Sequence, residues 1–363
     1  METKINIGPV HPATHGVLRL VVTLDGDTIK RVEPYIGYLH RGVEKLVETR
    51  MFMQSPSYME KLDYVAPMSY DELYVSTIEA AMGIEVKERA KYLRMILLEL
   101  QRIASHLLWL ATTANDVGQW FTIYMWAFAD RDRVLKLLEE ATGARMFYVN
   151  MRLGGLNRDV PEQFGENAIK LMEYLDKRLP DYESFLEGNP VFLERMRGVG
   201  ILKKSDAVKY GATGPVLRGS GIDYDARSNH SYYLYKELNF YASFETKGDC
   251  LARYKVRIKE IKTSINLVMS AVNKMPKGDA LGMPIKLINP EPKNKEVLVR
   301  RELPRGESLM YLVADKQRPY RLGIRSPTFV NLSLTQHLPI GARIADLFPI
   351  LASLDPVMGD SDR

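Results

Sequence analysis

Two histidines stand four positions apart in "GPVHPATHGVLRL", residues 8–20: His11 and His15, with Pro12 between them and Gly16 directly after. On a helix, imidazoles at that spacing share a face and can hold zinc. Here the proline and the glycine sit where a helix would have to continue, and the segment runs into a β-like hydrophobic alternation. The local chain therefore does not supply zinc geometry. Two readings stay open: a rigid loop that presents imidazoles to a substrate, or histidines that satisfy the hydrogen bonds of a turn. The single cysteine, Cys250, narrows the chemistry from another side. It excludes an internal disulfide framework and any thiolate-held iron–sulfur or nickel centre within this chain, because such centres need several thiolates. It also fits a reducing compartment.

The elements that must position these residues follow from periodicity. In "VLRLVVTLDGDTIKRVEPYIG", alternating and β-branched residues flank Asp25-Gly26-Asp27, a hairpin signal, so residues 1–36 read as an N-terminal β element. From Asp71 the period changes, and residues 71–83, 87–113, 124–142 and 161–179 are each helix-like in length and pattern. Lys87–Thr113 is apolar on most faces between its charges, which marks a helix at the centre of a bundle. Gly and Pro punctuate residues 211–233 as loops, helical periodicity returns over 253–275, and residues 296–332 read as short strands and turns. The expected architecture is α+β and mainly α, one domain over 1–363. It has a helical core at 71–290 and a C-terminal β region and tail at 295–363.

Bulk properties exclude several functions. A net charge of +5 with no run of five Lys/Arg gives no nucleic-acid footprint, though slight basicity is compatible with resting near an anionic membrane surface. The most apolar window, residues 92–114, is interrupted by Arg94, Glu99, Arg102 and His106, whereas a span needs about 20 predominantly apolar residues. "METKINIGPV" has neither a secretory nor a transit pattern, so no cleaved leader is expected. No glycine-rich dinucleotide fingerprint opens a helix in a βαβ setting, so no nucleotide is expected.

Nine blocks carry a resemblance: "GPVHPATHGVLRL", "GYLHRGVEKLVE", "KLDYVAPM", "ELQRIASHLLWL", "NDVGQ", "ATGARM", "GATGPVLRGSG", "GDCLARYKVRI" and "LDPVMGDSDR". In order and spacing they resemble the large peripheral-arm subunit of respiratory complex I, the D-type subunit of the NADH-quinone oxidoreductases. That family is homologous to the large subunit of nickel–iron hydrogenases. The match spans Gly8 to Arg363 and implies a central helical bundle of the hydrogenase large-subunit type. In hydrogenases two Cys-x-x-Cys pairs hold the metal, and the corresponding regions here, "SPSYMEKLDYV" and "LDPVMGDSDR", contain no cysteine. Nickel–iron chemistry is excluded on ligand grounds, no metal is expected, and Cys250 reads as a small packed residue.

What remains, by resemblance, is a cavity for a quinone headgroup. Two-electron reduction puts negative charge on two carbonyl oxygens, and each wants a donor able to surrender a proton. The resemblance implies His15 and Tyr64 as that pair, with Asp116 as partner to His15. It places His11 in the same loop as part of the substrate site, shaping the loop more than touching quinone. Arg41 is implied beside the terminal iron–sulfur cluster of a small partner subunit. Each has a plain alternative: Tyr64 as packing, Asp116 as the cap of a following helix, and Arg41 paired with Glu44 on a helix surface. His106 reads as a satisfied core histidine, and the methionines of residues 51–68 as a quinone-tail lining or as core filling. Where the family carries a histidine that couples cluster reduction to proton uptake, this chain has Asn157, an amide that does not titrate.

The implied role is a peripheral subunit on the cytoplasmic side of the plasma membrane. Its implied partners are the iron–sulfur subunit, other peripheral-arm subunits and the membrane-arm subunit where quinone enters. It would bind no cofactor by itself. Two other functions fit the same residues: the same role with another electron donor, reduced deazaflavin or ferredoxin, or a non-catalytic scaffold.

Overall fold

The structure is a computed structural model and describes residues 2–118, 120–284 and 291–363. At the N-terminus β1 (Glu2–Ile7), β2 (Arg19–Asp25) and β3 (Thr28–Tyr35) form an antiparallel sheet in that order, with the Asp25-Gly26-Asp27 turn joining β2 to β3. The expected hairpin is present, and β1 adds a third strand to it. Leu20, Val22, Ile29 and Val32 are fully or almost fully buried in a cluster with Leu347, Leu351 and Met358, so the sheet is seated on the C-terminal tail. Alternation along β2 and β3 thus fixes which face meets the tail.

Next come α1 (Val43–Glu48), α2 (Pro56–Met59), α3 (Pro67–Met82), α4 (Glu88–Gly118) and α5 (Phe121–Thr142). They are followed by the two-residue strands β4 (Met151–Arg152) and β5 (Gly155–Leu156) and by α6 (Phe164–Glu187). α3 starts earlier than the periodicity suggests, because Pro67 opens it with a backbone angle already helical. α4 continues past Thr113 and carries Asp116 within it, and α6 runs through Pro180 beyond residue 179. The short helices α7 (Pro190–Met196) and α8 (Lys204–Lys209) follow, and residues 211–233, read as loops, contain two more, α9 (Gly214–Arg218) and α10 (Ala226–Asn229). Then α11 (Cys250–Lys274) begins at a cap in which the Asp249 carboxylate accepts the Ala252 N–H at 2.8 Å.

β6 (Glu296–Leu303), β7 (Gly306–Asp315) and β8 (Arg318–Arg325) form a second antiparallel sheet. The chain does not end in β structure. It closes with α12 (Pro327–Leu332), α13 (Leu347–Leu354) and α14 (Met358–Asp362), and α14 is buried throughout. Residues 285–290 of the expected helical core lie outside the described residues.

α4 is the centre of the bundle, packed against α5 along one side and α11 along another, with α13 across its later turns. Its buried face includes Arg94, Glu99, Arg102 and His106. Among the described residues no helix is long and apolar enough to cross a membrane.

Candidate functional site

The loop between β1 and β2 is built around a single turn of 3-10 helix, Pro12–Thr14. His11 caps it: its Nδ1 accepts the Ala13 N–H at 3.2 Å, and its ring stacks on Phe348 at 5.6 Å. The Thr14 hydroxyl lies 2.8 Å from the carbonyls of both His11 and Gly16, locking the two ends of the turn together. His15 follows in the left-handed region (φ 52°), which histidine tolerates better than most residues. Gly16 has φ 138°, and a Cβ there would come 2.9 Å from Met358 Cγ and 3.5 Å from the Tyr64 hydroxyl. The result is an imidazole turned toward α4, its Nε2 at 2.5 Å from Asp116 Oδ2, with side-chain exposures of 12% and 8%. A carboxylate only accepts, so the ring hydrogen of this bond sits on Nε2.

Tyr64 is presented by the turn that precedes α3. Asp63 ties that turn: its Oδ1 accepts the N–H groups of Val65 (3.1 Å) and Ala66 (3.0 Å), and its Oδ2 accepts from Arg305 Nη1 at 2.8 Å. The Tyr64 ring lies against Gly359, where a Cβ would stand 3.2 Å from the ring and 2.7 Å from the Leu62 carbonyl. Burial, with a smaller contribution from the Asp63 charge, pushes the phenol above its ordinary value, while Arg305 pulls it back. Tyr64 is therefore a neutral hydrogen-bond donor at neutral pH.

His15 and Tyr64 line one cavity of about 200 Å³. Leu108, Trp109 and Thr112 of α4 form a largely apolar wall, and Trp109 is held by its Nε1–H donating to Ala352 O at 2.7 Å. Two further charged residues that sequence reading passed over line the same space: Arg305, from the β6–β7 turn, and Asp355, left-handed (φ 55°) at the end of α13. Arg305 is 2% exposed and joins Asp63 to Asp355, lying 3.6 Å from the latter. Burial pushes Asp63 up to about 6 against the pull of Arg305. The "PRG" turn and the "LDP" helix end were visible as punctuation, but only the fold brings them together.

The remaining candidates fall elsewhere. His11 shapes the loop and is not among the residues lining the cavity. Arg41 is exposed ahead of α1; its Nη2 donates to Lys61 O at 3.1 Å and its backbone N–H to Arg363 O at 3.2 Å. Glu44 pairs instead with Arg321 (3.3 Å) and Arg363 (3.5 Å), so contacts to β8 and to the tail stand in place of an Arg41–Glu44 pair. Asp116 lies inside α4 and caps no following helix. Asn157 is exposed, its Oδ1 accepting from Arg152 at 3.1 Å. Met59 and Met68 fill the main core, and Cys250 is buried at the start of α11. His106 is fully buried on Glu260 at 2.8 Å.

Residues 116–295 and 285–363 match the family described as respiratory-chain NADH dehydrogenase, 49 Kd subunit. The chain belongs to that family. Proteins named as the D subunit of NADH-quinone oxidoreductase are similar over nearly the whole length. One from Clostridium beijerinckii is 43% identical over 363 residues, covering 100% of this chain and 97% of its own. One from Dehalococcoides mccartyi is 42% identical over 360 residues, covering 99% and 98%. Among solved structures, a chain of the membrane-bound sulfane sulfur reductase, an archaeal respiratory membrane complex, aligns with a TM-score of 0.94 at 32% identity, covering 99% of this chain and 98% of its own. This mainly helical α+β fold is thus shared with a chain of a respiratory membrane complex of a different name.

Proposed function

We propose that this chain is the peripheral subunit of a membrane-bound quinone oxidoreductase of the NADH type and forms the quinone headgroup site. The observation that carries this is the convergence of an Asp116-bound His15 and a protonated Tyr64 on one cavity with an apolar wall. A headgroup seated there would have an imidazole and a phenol as its proton donors. Their hydrogen bonds would strengthen as electrons place negative charge on the carbonyl oxygens. Asp116 orients His15 through Nε2, and the left-handed turn with Gly16 sets where the ring points.

Electrons would come from the terminal iron–sulfur cluster of a small partner subunit docked near Arg41, whose fixed cation favours the reduced cluster. The chain would sit peripherally on the cytoplasmic face, with other peripheral-arm subunits around it and a membrane-arm subunit where quinone enters. With Asn157 in place of a titrating imidazole, the cluster potential should depend only weakly on pH. A redox titration followed by electron paramagnetic resonance checks this, and a steep dependence would refute it.

The test of the site is Tyr64→Phe in the assembled complex, assayed with quinone and with a water-soluble acceptor that bypasses the quinone site. Quinone reduction should fall by roughly 10²-fold or more while the bypass reaction persists. If both reactions are unchanged, Tyr64 is packing and the scaffold reading gains. The similarity to a sulfane sulfur reductase chain favours one other reading, the same fold serving a related membrane complex whose acceptor is sulfane sulfur instead of quinone. Activity of the purified complex with each acceptor separates the two, and flavin and NADH-binding subunits, or their absence, decide the donor.

A further inference from the structure

A dense polar structure fills the interface between α4 and α11. On α4, Glu99, Arg102 and His106 follow one another along the buried face, and on α11, Arg253, Arg257, Glu260 and Ser264 do the same. The contacts form a ribbon of two runs that break between His106 and Arg257. Glu302, at the end of β6, and Glu260 clasp the same guanidinium, Arg218, at 2.8 and 2.5 Å. Glu260 holds His106 Nε2 at 2.8 Å. Beyond His106, Arg257 lies 3.9 Å from Asp355, and Asp355 lines the cavity of His15 and Tyr64.

The inner half of this ribbon is left open by its own side chains. Asp355 Oδ2, Arg257 Nε and Nη2, Arg305 Nε and His106 Nδ1 are buried and find no hydrogen-bond partner among the described residues. Buried groups of this kind are satisfied by water, and polar contacts across more than about 3.5 Å are where a bridging water fits. At the outer end Glu302 lines a pocket of about 10 Å³, close to one water in size, with Glu72, Arg102, Tyr232 and Arg301. The Arg301 side chain there is 15% exposed.

We propose that this ribbon is a water-bridged proton route, running from Glu302 through the Glu260–His106 pair to Asp355, that reloads the proton donors of the cavity after each turnover. It rests on the quinone reading. Each quinone reduced takes two electrons from the partner's cluster and two protons from Tyr64 and His15, and two protons from solvent restore them. His106 suits a relay because one ring nitrogen is bound to a carboxylate and the other is unbound. Burial, aided by the charges of Arg257 and Arg102, holds its ring below the ordinary histidine value against Glu260, so it rests neutral. Burial and the facing Asp225 push Glu302 up to about 7 against Arg218 and Arg227, which lets it load from solvent near neutrality. The arginines do not titrate in this range; they hold the carboxylates and the water.

The experiment uses the assembled complex with His106→Gln and Glu302→Gln, followed by rapid mixing with quinone and then in steady state across the neutral pH range. The first quinone per complex should be reduced at the unaltered rate, because Tyr64 and His15 already hold their protons. Later turnovers should slow on the order of tenfold or more. The slowing should deepen as pH rises, while KM for quinone and the bypass reaction stay unchanged. Steady-state rates equal to wild type, or a first turnover and KM that worsen together as a structural defect would cause, overturn the route. If His106→Gln does not assemble, Glu302→Gln at the outer end gives the same reading. Tyr64→Phe beside them must slow the first turnover by roughly 10²-fold or more. If it does not, the quinone reading fails and the route with it, whereas a normal relay variant beside a Tyr64→Phe slowed to that extent overturns the route alone.

Discussion

Among single residues, the candidate site depends on two small positions as much as on its polar ones. Gly16→Ala forces an L residue to φ 138° and drives its Cβ toward Met358, which should cost about 1–3 kcal/mol and turn His15 away from Asp116. Lower denaturation midpoints together with lost quinone reduction would show it. At Gly359 the obstacle is the backbone carbonyl of Leu62 at 2.7 Å, which cannot rotate aside, so Gly359→Ala should displace the Tyr64 ring and reduce quinone turnover. Asp116→Asn preserves the size and one acceptor but removes the charge from His15. Quinone reduction should fall while the bypass reaction remains, and full activity would show that Asp116 only orients the ring. His11, His15 and Tyr64 could be picked out by residue type and resemblance. Arg305 and Asp355 could not, because nothing local distinguishes a turn arginine and a helix-ending aspartate from ordinary surface groups.

Among the elements, α4 and α11 show what periodicity conveys and what it hides. Their existence and approximate span follow from the pattern of apolar residues. That their charged residues point inward does not follow, since charges within a hydrophobic run read equally well as a solvated stripe. Glu99 accepts from Tyr235 at 2.6 Å and Ser264 at 2.5 Å and lies between Arg102 and Arg227, at 3.3 and 3.2 Å. These partners outweigh burial and hold its carboxyl below the usual range. Its stabilising effect is present above the unfolded value and is lost as pH falls through the folded one. Glu99→Ala leaves the buried Arg102 guanidinium without its anion, while Arg227 keeps Asp225 at 2.8 Å, and should cost about 3–5 kcal/mol near neutral pH, less in acid, as chemical denaturation would measure.

For the molecule as a whole, burial of carboxyls also works in the opposite direction. Asp71 is fully buried, accepts one backbone N–H from Met151 and has its Oδ1 without a partner among the described residues. Burial first, with Glu60 and Glu72 adding to it, pushes its carboxyl from 3.8 up to about 7, against Met151 and Arg94. The stability that the protonated form contributes is full below the unfolded value and is lost as pH rises through the folded one. Asp71→Asn should therefore leave acid stability nearly unchanged. Above neutral pH it should raise the thermal midpoint by an amount corresponding to a few kcal/mol, roughly 1.4 kcal/mol for each pH unit that separates the folded from the unfolded value. Thermal unfolding of the purified protein as a function of pH measures this, and an unchanged pH slope would argue against a buried ionised Asp71.

Periodicity, turn residues and ligand counts are local properties. They suffice for the main secondary elements, the mainly helical α+β class and the absence of the cysteines that a nickel–iron site would need. His15 and Tyr64 were marked as well, through motifs whose order along the chain is preserved. The pairing of Asp116 with His15 was implied by the same motifs, whereas its place inside α4 and the completion of the cavity by the β6–β7 turn and the end of α13 came from the folded chain alone. So did the meeting of the charges of α4 and α11 in one buried ribbon. The physical reason is that a hydrogen bond or an ion pair between residues a hundred or more positions apart leaves no periodic trace in either segment. Whether a charge is buried or solvated depends on what packs against it.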